Sequence, residues 1–385
     1  MLFHYLERWA PFRIDALGLV TLLGAERVDQ VVGRLAHHRL TSYLPLLGAF
    51  KIAGNDFVQP IPGFVLYNVT DGIVATDLSG WFCRWLLSQE LTYTSTTLTI
   101  SEAVGGSGGH RRFEGWCNYA LGMLATGPLL AMAILMGDWW GLVNVASMAI
   151  SVLVRLVVVG GNYAAIDRAV DVAAESSAKQ VKVIVTLPTG ELITVRTTVG
   201  IVLNCILTNP RLRHPKFYNL VRAIGWVGFG CHVISLGMAA LLNQLLTVVV
   251  VVGATALVVW KVGDDESRIG KRLRIHRSDH PPPDWRATAI SRLQLSRTEE
   301  DCLLTWNLLP QRSNEIWWQT FRQCQEEPEL FKNWSQMLKD AHLQADAAAE
   351  KDGESAEFAC KAQVSRTNSG SDGESGDLEA CVCIR

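Results

Sequence analysis

The stretch from Ala223 to Trp260 reads AIGWVGFGCHVISLGMAALLNQLLTVVVVVGATALVVW and contains no Asp, Glu, Lys or Arg. A helix needs about 20 mostly apolar residues to cross the hydrocarbon core of a bilayer. The run is therefore too long for one membrane span and long enough for two. We predict the turn between them at Asn243-Gln244, where two strongly polar side chains are adjacent.

A second apolar region has the same form. Trp116 to Met136 contains one strongly polar residue, Asn118, and Gly137-Asp138 predicts a tight turn before the apolar segment Trp139 to Val159. Tryptophans near the span ends fit the aromatic belt expected where rings meet lipid headgroups. The sequence thus predicts a mainly α-helical, polytopic membrane protein with four transmembrane helices in two hairpins.

Lysine and arginine residues predict the orientation of the spans. Neither predicted turn contains one, whereas the opposite span ends are flanked by basic residues, from Arg111 and Arg112 before the first span to Lys261 after the last. Loops rich in Lys and Arg stay in the cytosol. We therefore expect a multi-pass protein with both termini cytosolic, in the plasma membrane or an endomembrane.

The segments outside the spans predict shorter elements. Val181 to Leu187 and Leu192 to Thr197 are rich in Val, Ile and Thr and flank a Pro-Thr-Gly-Glu turn, which predicts a small cytosolic β-hairpin. Ile61 to Leu87 is apolar but interrupted by charged residues, so we interpret it as a folded or membrane-skimming cytosolic segment. The C-terminal tail is rich in Ala, Ser, Gly and acidic residues, which is typical of disorder.

These patterns divide the chain into six parts. They are a cytosolic N-terminal region (1–115), transmembrane hairpin 1 (116–161), a cytosolic connector with the β-hairpin (162–222), transmembrane hairpin 2 (223–260), a cytosolic helical region (261–344) and a disordered acidic tail (345–385).

Polar residues within the spans are candidates for function, because burying them in lipid is costly. His232, near the middle of the third span, fits a structural hydrogen bond or a proton relay. Arg155, about four residues from the cytosolic end of the second span, fits an anchor that extends to the headgroups. Asn118 and Asn144 fit hydrogen bonds between helices.

A charged segment follows the last span. Asp264-Asp265-Glu266 reads as a solvated loop or a cation site, and we favour the loop. The basic cluster next to it either faces anionic lipid or only enforces topology, and both interpretations stay open. Its members are Arg268, Lys271, Arg272, Arg274 and Arg277.

Composition restricts the possible functions. Apolar residues make up 49% and charged residues 19% of the chain, and the formal net charge is −2, which gives no indication of nucleic-acid binding. The cysteines form no CxxC pair and no zinc-type Cys/His quartet. We predict no catalytic, cofactor-binding or metal-binding residues.

Large aromatic side chains between Trp306 and Trp334 indicate a docking or packing surface.

Two strings carry a resemblance to other proteins. WVGFGCHVISLG at 226–237 and WNLLPQRSNE at 306–315 resemble an uncharacterised family of multi-pass membrane proteins from filamentous fungi. The resemblance runs from the first span to about residue 325. It implies a fungal membrane setting and no mechanism, substrate or site residue.

The function that these features favour is a non-enzymatic scaffold or interaction protein of a membrane. Its expected partners are the bilayer, cytosolic proteins and other copies of the chain. A small-solute transporter or channel subunit is the alternative, supported by His232. A membrane-embedded enzyme is the second alternative. The glycosylation sequons at Asn68 and Asn333 would report the topology, and we expect both to be cytosolic and unmodified.

Overall fold

The fold was analysed in a computed structural model. The structure describes residues 25–38, 40–89, 91, 96–103, 109–279 and 286–368. The chain divides into two compact units, Met1–Thr305 and Trp306–Arg385.

The first unit begins with short elements that alternate between helix and strand. They are helix α1 (Ala25–Gly33), strand β1 (Ala36–His38), helix α2 (Ala49–Gly54), a 3-10 turn (Asp56–Val58), strands β2 (Val65–Asn68) and β3 (Ile73–Ala75), helix α3 (Gly80–Ser88) and strand β4 (Thr97–Glu102). Ile61 to Leu87, which the sequence left as folded or membrane-skimming, is a folded part of this unit. Trp85 and Phe82 of α3 lie in its main buried core.

The longer elements follow. They are helices α4 (Gly109–Met136) and α5 (Trp139–Ser176), strands β5 (Gln180–Thr186) and β6 (Leu192–Thr198), a one-turn helix α6 (Val199–Ile201), a π-helical turn (Val202–Ile206), helices α7 (Pro215–Met238) and α8 (Leu241–Val259), strands β7 (Asp264–Ile269) and β8 (Leu273–Ser278), and helices α9 (Arg286–Ser291) and α10 (Arg297–Thr305).

Among the residues that the structure describes, four helices are long and apolar enough to cross a membrane, as the sequence predicts. The qualifying segments are Trp116–Met136, Trp139–Ser176, Pro215–Met238 and Leu241–Val259. α5 does not end at Val159. It continues as one helix of 38 residues, which at about 1.5 Å per residue extends well beyond a hydrocarbon core of roughly 30 Å.

The turn between α7 and α8 lies before its predicted position. Ala239 and Ala240 have extended backbones, whereas Asn243 and Gln244 lie in the first turn of α8. The Gln244 side-chain amide donates to the Ala239 carbonyl at 2.8 Å. The two polar residues therefore hold the turn together from inside the helix that follows.

The prediction of a small two-stranded hairpin is wrong, because β5 and β6 lie inside an eight-stranded sheet. The strand order is β1-β7-β8-β4-β6-β5-β2-β3. The β4–β6 pair is parallel and the other pairs are antiparallel. Two strands alone are marginally stable in water. Here β2 and β4 pair along both sides of the hairpin, and Val183 and Val195 are fully buried in the main core.

The sheet and α5 share one core. Ile166, Val170 and Ala173 on the C-terminal part of α5 belong to the same buried cluster as Val181 and Val195 of the sheet. Residues 162–176, the first part of the predicted cytosolic connector, are thus a direct continuation of a candidate membrane helix.

The acidic triplet is not a solvated loop. Asp264 and Glu266 lie in β7, and both carboxylates pair with the fully buried Arg34 guanidinium. His38 Nδ1 lies 2.6 Å from the other Asp264 oxygen. This network links α1, β1 and β7, and local sequence cannot reveal it because its members come from opposite ends of the unit.

The second unit is helical. It contains α11 (Glu315–Glu326), a 3-10 turn (Pro328–Asn333) and α12 (Trp334–Asn368). Trp318, Phe321, Phe331 and Trp334 are buried against one another, so these aromatic residues form a core. α12 continues to Asn368, into the tail that the sequence predicts to be disordered, and residues 369–385 lie outside the described residues.

Candidate functional site

The two tight turns are joined by one carboxylate. Asp138 caps α5, because its Oδ1 accepts from the Gly141 amide at 2.9 Å. Its Oδ2 accepts from the Ala240 amide at 2.9 Å and from the Asn243 side-chain amide at 2.6 Å. Each hairpin is thereby fixed to the other at the end of the helices that lies away from the sheet.

The two asparagines in the candidate spans have different surroundings. The Asn144 amide on α5 donates to Thr247 Oγ1 on α8 at 2.9 Å, which is the interhelical bond that its position predicts. Asn118 on α4 is 8% exposed, and its Oδ1 has no partner among the described residues. Asn144 therefore has a structural role, whereas no described contact assigns one to Asn118.

His232 lies on α7 and is 9% exposed. Its Nδ1 has no partner among the described residues. Its main-chain carbonyl accepts from Ser235 Oγ, a bond within the same helix. The structure does not bring His232 together with Arg155, Asn118 or Asn144 in any described contact.

A loop of the N-terminal region lies between the candidate spans. The loop comprises residues 41–48. Its Leu47 packs in one cluster with Leu129 of α4, Met148 of α5 and Val251 of α8. Non-helical backbone among membrane helices must have its polar groups satisfied by protein. Thr255 Oγ1 accepts from the Leu47 amide at 3.0 Å. The sequence had placed this whole region in the cytosol.

Arg155 donates hydrogen bonds to backbone carbonyls at the N-terminal end of the same loop. Its Nη2 donates to the Thr41 carbonyl at 2.8 Å and to the Ser42 carbonyl. Arg155 is 7% exposed, so its side chain points inward to the loop. The sequence predicts instead that this side chain extends to the lipid headgroups. Its position on α5 places a buried positive charge beside backbone carbonyls.

A cavity of about 240 Å³ lies next to Arg155. Apolar side chains form much of its wall, including Val32, Leu46 and Val258. Its polar lining comes from α5, from the first two residues of the 41–48 loop and from β1. The polar lining residues are His37, His38, Thr41, Ser42, Arg155 and Tyr163.

The basic cluster lies on the β7–β8 hairpin. Arg272 pairs with Asp171 of α5, and Arg277 Nε donates to Asp279 at 2.7 Å. Arg274 lies opposite Arg268 in the ladder, while Leu273 and Ile275 point into the core. Lys271 and Arg274 are exposed. Arg268 and Arg274 thus lie on the outward face of the hairpin, Lys271 and Arg272 lie in its turn, and Arg277 lies on the same face as Leu273 and Ile275. Carboxylates hold Arg272 and Arg277.

The buried thiols are poor nucleophiles. Burial raises the pKa of Cys83 to about 11 and that of Cys205 to about 12. A thiol reacts as its thiolate, so both are inert near neutral pH. In the described part of the chain, no group of three or more His, Cys, Asp or Glu residues could hold a metal ion.

Sequence reasoning found His232, Arg155, Asn118 and Asn144 but missed the contacts that decide their roles. The sequence signals were present: Asp138 stood in a predicted turn, and Asp264 in an acidic triplet. Their partners are about a hundred or more positions away. No model of a known protein family, no curated protein and no solved structure matches this chain.

Proposed function

We propose that this chain is a non-enzymatic scaffold of a membrane, with the sheet and both termini in the cytosol. The shared sheet carries the proposal. Its strands precede α4, connect α5 with α7 and follow α8. The ends of the four apolar helices that lie away from the two turns therefore meet a single domain, which a bilayer can accommodate on one side only.

The basic loops define which side that is. Lysine and arginine residues flank the helix ends next to the sheet, whereas the turns at Gly137-Asp138 and Ala239-Ala240 contain none. By the positive-inside rule the sheet is cytosolic. Exposed Lys271 and Arg274 support contact with anionic lipid. The resemblance to fungal multi-pass proteins supports a fungal membrane as the setting.

The second unit supplies the surface for protein partners. Leu343 on α12 is 66% exposed, and most described side chains from Lys339 to Lys351 are exposed as well. A mainly polar helix without packing on its sides gains little stability from its own unit. A partner that covers Leu343 and the neighbouring alanines would supply the missing burial.

Site-directed photo-cross-linking in intact cells tests this proposal. A photoreactive residue replaces Leu343, and a matched chain carries it at Thr189, on the exposed β5–β6 turn. We expect a discrete protein adduct from position 343 and none of the same mass from position 189. A chain ending at Thr305 should still resist alkaline extraction from membranes, because all four apolar helices remain.

The same experiment contains the outcome that rejects the scaffold. If position 343 gives no protein adduct, α12 is not a partner surface. If the chain ending at Thr305 retains every partner that co-purifies with the full chain, the docking surface lies elsewhere and the second unit has another role.

A further inference from the structure

Three arginines are buried in the described part of the chain: Arg34, Arg84 and Arg155. Arg34 pairs with two carboxylates, and Arg84 pairs with Asp29 at 3.2 Å. Arg155 has no described carboxylate within ion-pair distance. It is the buried arginine whose positive charge the described residues leave unbalanced.

Backbone carbonyls balance this charge only in part. Nη2 of Arg155 donates to the Thr41 and Ser42 carbonyls. No described group accepts from Nε or Nη1. Burying an ion without a counter-ion costs several kcal/mol, and a guanidinium has five N–H donors in a planar fork that suits a carboxylate or phosphate. Arg155 therefore favours an anion in the cavity beside it.

A second polar group in the cavity lacks a partner. Asp264 Oδ1 engages Nδ1 of His38 at 2.6 Å, while the buried Nε2 of His38 has no partner among the described residues. His38 also lines the cavity, so its unpartnered nitrogen is a second polar atom available to a ligand beside Arg155.

The apolar wall indicates what the anion is attached to. Leu156 and Val159 of α5 and Val258 of α8 line the cavity, and both helices are candidate spans. A cavity of about 240 Å³ holds a headgroup and a few methylenes, given about 30 Å³ for one water in the liquid. The rest of a chain would lie along the apolar helices.

We propose that this cavity binds one anionic amphiphile, an oxyanion head on an acyl chain, with the head at Arg155 and His38. The ligand comes from the bilayer as an anionic phospholipid or from solution as a free fatty acid. It completes the charge balance of Arg155 and adds apolar contact between α5, α8 and the 41–48 loop.

Native mass spectrometry of the full chain, released from phosphatidylcholine nanodiscs, tests the proposal. Dioleoyl phosphatidic acid, oleate and inorganic phosphate are added separately as probes. We expect a single adduct with at least one of the two amphiphiles, and Arg155→Gln should lower its occupancy about tenfold, the equivalent of one charged hydrogen bond. Arg168→Gln on the same helix removes the same charge away from the cavity and should leave occupancy unchanged.

A steric variant keeps the test decisive if Arg155→Gln fails to fold. Gly160 lines the cavity, and a Cβ added there meets nothing within 4 Å. Gly160→Leu fills the cavity while improving helix propensity, so it should abolish the adduct. Gly253→Leu on α8 is the matched control, because its Cβ also meets nothing within 4 Å and Gly253 does not line the cavity.

The probes separate the sources of the ligand. An adduct with phosphatidic acid alone assigns a phospholipid, and an adduct with oleate alone assigns a fatty acid. Binding of inorganic phosphate without either amphiphile overturns the apolar part of the proposal. Equal occupancy in Gly160→Leu and Gly253→Leu, or no single adduct with any probe, overturns the site.

Discussion

Asp138 accepts three hydrogen bonds, two of which come from the opposite hairpin. Hydrogen bonds to a charged group contribute more than neutral ones, about 1.5–3 kcal/mol each. The N-cap on α5 contributes about 0.5–2 kcal/mol. At the scale of single residues, this side chain is therefore the main polar connection between the two turns.

Asp138→Ala should lower the free energy of unfolding by about 2–4 kcal/mol, since it removes the cap and leaves the Asn243 amide without its acceptor. Asp138→Asn retains a side-chain oxygen and should lose less. Thermal unfolding of the detergent-solubilised chain measures both changes. Asp77→Ala, at an exposed position, is the control and should change little; an equal loss in all three variants would show that Asp138 does not join the hairpins.

The sequence identifies polar residues such as Asp138 and Arg155, but it does not indicate which residues they contact. Gly137-Asp138 reads as a turn because glycine tolerates the positive φ that Gly137 adopts. Nothing near Asp138 indicates Asn243, which lies in a different apolar run. Arg155 shows the same limit, since a headgroup anchor and a buried donor to the 41–48 loop have the same local sequence.

At the scale of helices and strands, local sequence patterns predict some strands of the sheet and miss others. β5 and β6 follow from their Val, Ile and Thr content, and the structure places them within a residue or two of the predicted segments. β1 has three residues and β7 contains an acidic triplet, so neither reads as a strand. Arg34, which lies two residues before β1 and far from β7 in sequence, stabilises their pairing by its ion pairs with Asp264 and Glu266.

Helix α10 is attached to the sheet by its capping box. The Ser296 amide donates to Glu299 Oε2 at 2.8 Å and the Glu299 amide donates to Ser296 Oγ at 3.4 Å. The Glu299 carboxylate also accepts from Lys182 of β5 at 2.9 Å and from Thr70 at 3.1 Å. Burial raises the pKa of Glu299, but these hydrogen bonds outweigh it, so the pKa is lowered from its usual 4.5.

A lowered carboxyl pKa makes this attachment depend on pH. The stabilisation is present above about pH 4.5 and is lost as pH falls through the lower pKa of the folded state. We expect Glu299→Gln to lower the free energy of unfolding by about 1 kcal/mol at pH 7 and by less at pH 3.5. Denaturant unfolding at both pH values gives the two differences.

Glu175→Gln is the control for that measurement, because Glu175 is an exposed carboxylate elsewhere in the same unit. Its effect should be small at both pH values. A loss in Glu299→Gln that is the same at pH 7 and pH 3.5 would mean that the carboxylate charge does not hold α10.

At the scale of the whole molecule, the apolar helices and the sheet form one unit. Ile166 and Val170 of α5 are buried with the sheet, and Leu47 of the N-terminal region is buried among the spans. The length of each apolar stretch predicts the four helices, because whether a segment can span a bilayer depends only on its own sequence. The N-terminal region could not be placed in the same way, because its position depends on Arg155 and Thr255, which belong to two different helices.

The proposed orientation predicts which side of the membrane two positions occupy. Trp139 is 78% exposed next to the first turn, and Thr189 is exposed on the β5–β6 turn of the sheet. In sealed membrane vesicles with the cytosolic face outward, a membrane-impermeant maleimide should label Thr189→Cys but not Trp139→Cys, and both after permeabilisation, with labelled peptides identified by mass spectrometry. Asn68 is 4% exposed and bonded to Asp71, so the exposed Asn333 is the better glycosylation reporter and should carry no sugar. Labelling of position 139 alone in sealed vesicles would place the sheet on the other side of the membrane, and labelling of both positions would show that the helices do not cross as two hairpins.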